Sequence, residues 1–140
     1  MELMPLETHL KLIGALLTPL ALLHAGFPRY FNWATEFRAI SLINRQMMYV
    51  HTLFIALLVL LMGLLCLGYA PELVHSRLGQ VVCLGLGLFW LARLVVQFVG
   101  YSAELWRGKR FETTVHVLFV LFWAYLSVVF LAVYWLGDSS

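Results

Sequence analysis

Charge is what this sequence has least of. Nine Lys and Arg and seven Asp and Glu in 140 residues make 11%, against about 25% in a soluble domain. With 63% hydrophobic residues and a mean hydropathy of +0.91, the chain could not hide its apolar surface in a water-soluble fold. No apolar segment has an Asp or Glu near its middle, which excludes the mid-membrane proton relay of an ion pump. Glycine-rich phosphate loops, a nucleophile elbow, HExxH and paired intramembrane carboxylates are also missing, so hydrolysis and nucleotide binding are set aside. The two cysteines, Cys66 and Cys83, form neither CxxC nor CxxCH and read as small buried hydrophobes. The N-terminal apolar segment lacks the early positive charge of a secretory signal: Glu2 and Glu7 precede Lys11, and the segment is expected to remain as a first helix.

What is present is four apolar segments, each near the roughly 20 residues that cross a hydrocarbon core of about 30 Å. The expected fold is an all-α integral membrane protein, a four-transmembrane-helix up-down bundle forming a single transmembrane domain over 1–140. The helices are placed at about 7–25, 46–69, 76–105 and 111–136, with Pro19 kinking the first and Ala70-Pro71 closing the second. Between the first two, Tyr30, Trp33, Phe37 and Ile40 recur at helical spacing. They predict a short interfacial helix over about 32–42, capped by Asn32 and anchored by its aromatic rings.

Four crossings put both termini on one side with the 70–77 loop. The other side carries Arg29, Arg38, Arg45, Arg107, Lys109 and Arg110, against only Lys11 and Arg77 on the first. The positive-inside rule makes the arginine-rich side cytoplasmic, in a multi-pass cell-membrane protein with outward-facing termini.

An offset of 65 residues pairs Arg45, Val50, His51, Leu53 and Phe54 with Arg110, Val115, His116, Leu118 and Phe119. Leu, Val and Phe coincide often in apolar helices, so the shared Arg and His carry what weight this internal repeat has. It would relate the first helix pair to the second as parallel halves. His51 and His116 then lie about 5–10 Å below the cytoplasmic interface, at about 1.5 Å per residue. The third helix returns with Trp90, Arg93, Gln97, Tyr101 and Glu104 in steps of three and four, and Gly79, Cys83 and Gly87 at its other end permit close helix approach.

Two histidines at matched depth on parallel helices suit bis-imidazole ligation of a b-type haem, one nitrogen to each face of the iron. In that reading His51 and His116 bind the metal, Arg45, Arg93 or Arg110 pairs with the propionates, and Gln97 and Tyr101 line the propionate or quinone side. Arg93 and Gln97 alone make a donor pair for a quinone or phosphate oxygen. His24 is the nearest further ligand candidate, Asn44 shares a face with His51 as a hydrogen-bonded path, and Glu104 and Glu112 should pair with Arg107, Lys109 or Arg110. Two functions remain open. One is a small redox or quinone-site membrane subunit in electron transfer. The other is a non-catalytic accessory or scaffold protein whose polar cluster fixes helix packing or binds a lipid headgroup. Either fits a subunit or binding protein better than a stand-alone enzyme. The expected partners are the bilayer and a further membrane or peripheral subunit or a second copy, and nothing points to nucleic acid.

Overall fold

A computed structural model describes residues 5–137, and all regular structure among them is helical. The α-helical segments are α1 (Leu6–Leu23), α2 (Phe27–Tyr30), α3 (Trp33–Glu36), α4 (Leu42–Gly68), α5 (Ala70–His75), α6 (Arg77–Val99) and α7 (Arg110–Leu136), with 3₁₀ turns at His24–Gly26, Phe37–Ala39 and Ala103–Leu105. Four helical stretches are long and apolar enough to cross a membrane: Leu6–Tyr30, Leu42–Gly68, Arg77–Val99 and Arg110–Leu136. Only 22–33% of each stretch's most apolar window is buried within the protein. Leu53, Phe54, Leu61, Leu121 and Val128 are all more than half exposed, a surface that lipid can cover and water cannot.

Helix ends follow local chemistry. α4 begins four residues before its expected start because Ser41 is extended and its Oγ accepts the Asn44 amide at 3.4 Å, capping orphan donors. α6 is capped in the same way by Ser76, whose Oγ accepts from the Gly79 amide at 2.9 Å. It stops at Val99, not near 105, and the Gly100 amide closes its last turn on the Val96 carbonyl. The 70–77 connection holds a six-residue helix, α5, instead of a plain loop. The continuous helix expected over about 32–42 is broken into α3 and a 3₁₀ turn. Asn32 is left-handed at φ 55 and makes no side-chain cap, its carbonyl taking the Thr35 and Glu36 amides.

The described residues form two compact units, one of 5–10 with 70–137, the other Lys11–Tyr69. In the second, Gly14 and Gly63 let α1 and α4 approach. A Cβ on Gly14 would lie 2.6 Å from the Gly63 carbonyl oxygen, and one on Gly63 would lie 2.9 Å from Thr18 Oγ1. In the first, α6 packs on α5 and α7. A Cβ on Gly79 would meet Leu73 Cα at 2.5 Å, and one on Gly87 would meet the Leu131 side chain at 2.7 Å. The start of α1 is held in this unit by His75 Nε2 and Glu7 Oε1 at 2.6 Å and by His9 Nδ1 and Tyr125 Oη at 2.7 Å.

Gly85, on the same helix as Gly79 and Gly87, has open space where a Cβ would stand. Gly79→Ala should therefore lower stability by about 1–3 kcal/mol through overpacking against backbone. Gly85→Ala should leave it unchanged or raise it by about 0.5–1 kcal/mol through helix propensity. Reversible unfolding of both variants in detergent measures the contrast.

Candidate functional site

The most connected polar group is the side-chain amide of Gln97, buried on α6. Arg93, one turn earlier, donates from Nη1 to Gln97 Oε1 at 3.1 Å, and Trp123 of α7 donates from Nε1 to the same oxygen at 3.4 Å. Arginine and indole nitrogens only donate, so the atom they share must be the amide oxygen. The amide nitrogen then points at His116 Nδ1, 2.9 Å away. Receiving that donor makes Nδ1 an acceptor, and a neutral imidazole so held carries its proton on Nε2.

Aromatic rings enclose this network. Trp106 stacks on the His116 ring with centroids 3.9 Å apart and planes 10° apart. It is positioned by Thr113, whose Oγ1 donates to the Trp106 carbonyl at 2.5 Å. Trp123 stacks with Trp90, at 5.0 Å and 10°, and with Phe119, at 5.3 Å and 22°. The Arg93 guanidinium carbon lies 5.0 Å from the Trp123 ring centre and 5.6 Å from that of Tyr101. A cation beside two aromatic rings and an amide oxygen is thus stabilised without a carboxylate. Arg93 makes no ion pair among the described residues.

Of the six residues singled out in the sequence, Arg93, Gln97, Tyr101 and His116 come together. Tyr101 does so from beyond the helix end. Arg45 and His51 belong to the Lys11–Tyr69 unit. His51 is exposed on α4 and makes no hydrogen bond among the described residues, and it is not linked to Asn44, whose backbone amide goes to Ser41. Arg45 sits in the first turn of α4 beside Trp33, Phe37 and Tyr49. His24 Nδ1 donates to the Leu20 carbonyl at 2.9 Å, a local bond within its own segment. No group of three or more His, Cys, Asp or Glu is placed to hold a metal ion among the described residues. The pairing expected of Glu104 and Glu112 with Arg107, Lys109 or Arg110 does not form either; the ion pair among the described residues is His75–Glu7. Trp123 was not marked by the sequence pattern, since an aromatic ring in an apolar segment has no periodic contrast with its neighbours, and Trp106 was not because it lies in a connection without helical periodicity.

Comparison with protein-family profiles, curated proteins and solved structures finds no match to this chain.

Hydrogen bonds between transmembrane helices contribute about 0.6 kcal/mol on average and up to about 1.7. A double-mutant cycle of Gln97→Leu and His116→Phe should give a coupling in that range. In ¹⁵N spectra of labelled protein, the His116 Nδ1 should appear unprotonated and the Nε2 protonated. A protonated Nδ1 in neutral His116 would contradict the assigned donor order.

Proposed function

We propose that this chain is a multi-pass membrane protein of up-down four-helix type, acting as a non-catalytic accessory or scaffold subunit in which the polar cluster of α6 and α7 fixes helix packing. The observation that carries the reading is that the Gln97 amide spends its oxygen and its nitrogen within the cluster. The Gln97 oxygen takes two donors and its nitrogen serves His116, while Trp106 covers one face of that imidazole. Such a network specifies one rotation of α6 against α7, the role in which buried polar groups are best attested. In this reading the arginine-rich connections face the cytoplasm, the segment over about 32–42 lies at the interface, and the exposed apolar helix faces meet lipid, a further subunit or a second copy.

A second reading follows from His51. An imidazole exposed on a membrane-crossing helix, with no hydrogen-bond partner among the described residues, favours a ligand for it. That ligand would be a b-type haem shared by His51 and His116, within a redox or quinone-site subunit. Haem-ligating histidines usually bind through Nε2 with Nδ1–H donated to a carbonyl or carboxylate. His116 has the opposite proton order, so this reading requires Gln97 to turn away from Arg93 and Trp123.

An absorption spectrum of the detergent-solubilised protein before and after dithionite separates the two. The scaffold reading expects no band in the visible region in either state. A reduced b-type band lost in both His51→Ala and His116→Ala would establish the haem instead. The orientation is tested by fusions to the C-terminus: alkaline phosphatase should be active there and green fluorescent protein dark, and the reverse result would invert the topology.

A further inference from the structure

In the Lys11–Tyr69 unit, Trp33, Phe37, Leu42, Arg45, Gln46 and Tyr49 line a hollow of about 190 Å³. Its wall is aromatic: Trp33 and Phe37 are stacked with centroids 4.9 Å apart, and Tyr49 stands edge-on to both at 5.4 and 6.2 Å. Arg45 is its one cationic side chain, and the Arg45 Nε is buried with no hydrogen-bond partner. The guanidinium as a whole has no hydrogen bond or ion pair among the described residues. A buried N–H donor without an acceptor is rare and calls for one. The surroundings supply no anion, since Arg29, Arg38 and Arg45 gather at this end of the 11–69 segment and Glu36 is its single carboxylate. Glu36 is exposed and is not paired with Arg45.

We propose that this hollow binds the phosphate of an anionic phospholipid, with Arg45 holding the phosphate oxygens and Trp33, Phe37 and Tyr49 covering the glycerol end of the acyl chains. Guanidinium forks match phosphate oxygens, whose charge strengthens the bond. α4 is 27 residues long, about 40 Å at 1.5 Å per residue, and so exceeds a hydrocarbon core of about 30 Å. The surplus turns at the Arg45 end reach the headgroup layer, where aromatic rings are favoured and phosphates are densest. The volume falls below the roughly 300 Å³ at which drug-sized sites begin, so a headgroup fits better than a porphyrin or quinone ring. An anionic lipid is favoured over a zwitterionic one by the local excess of positive charge.

Native mass spectrometry of the full chain, released from neutral detergent loaded with phosphatidylglycerol, tests the proposal. Loss of a charge-assisted bond predicts that Arg45→Gln lowers phosphatidylglycerol retention about tenfold. Arg38→Gln, which removes the same charge from an exposed side chain outside the hollow, should keep it, and phosphatidylcholine should be retained less by the wild type. Equal retention by wild type and Arg45→Gln would overturn the site. An equal loss in Arg38→Gln would replace it with general surface attraction, and protection by sodium phosphate as strong as by the lipid would replace it with a free-anion site. A fluorescence measurement stands independently of Arg45→Gln folding. Brominated phosphatidylglycerol should quench wild-type tryptophan more than brominated phosphatidylcholine does, and Trp33→Phe should abolish the difference. A difference that survives in Trp33→Phe would also overturn the proposal.

Discussion

A side-chain amide has an oxygen that only accepts and a nitrogen that only donates, and in this protein that asymmetry orders a whole neighbourhood. Arg93 and Trp123 can approach Gln97 only at its oxygen, which leaves its nitrogen for His116 and thereby decides where the histidine carries its proton. Moving any one of them leaves a donor or an acceptor unpaired, so each member of the set constrains the others. The Trp123 indole, fixed by its bond to Gln97, presents a settled face to Trp90, and Trp106, held at its carbonyl by Thr113, lies on His116. An arginine inside this enclosure is held by quadrupoles and one amide oxygen, a solution that needs no buried carboxylate.

Packing elsewhere depends on the absence of side chains. Where lipid tails are as apolar as leucine, helices associate through close contact, and the small residues set how near two backbones come. Gly14 and Gly63 do this for α1 and α4, and Gly79 and Gly87 do it around α6. The two units therefore use the same means of association. They differ in their polar equipment: hydrogen bonds tie α6 to α7, while in the Lys11–Tyr69 unit Arg45 and His51 make no side-chain hydrogen bond or ion pair among the described residues. The histidines that align in the sequence repeat thus occupy unlike surroundings, one hydrogen-bonded and covered, the other exposed.

The four long helices were legible because an apolar stretch of that length with almost no charge is suited to a hydrocarbon layer and to little else. Their ends were less so. Ser41 starts α4 early through a single cap, and α6 ends at Val99 although the stripe of polar and aromatic residues runs on through Tyr101 and Glu104 at helical spacing. The Arg93–Gln97 pair could be read from a separation of four, a contact within one helix. The Gln97–His116 bond could not, since it depends on how one helix is rotated against another, and linear spacing carries no such information. The close approach at Gly14 had a faint signature in Thr18 four residues on, a small-residue spacing that passes unnoticed in a leucine-rich helix.

Connecting segments usually drift freely in length, because little depends on them. The stretch between α6 and α7 departs from that pattern. Tyr101 leans on the Arg93 guanidinium, Trp106 lies flat on the His116 imidazole, and Thr113 holds the Trp106 carbonyl. An inserted or deleted residue there would move an indole off its ring partner and open the hydrogen-bonded interior to its surroundings. Relatives of this protein that preserve the interior should then preserve the spacing of that connection residue for residue, while varying the apolar helix faces freely.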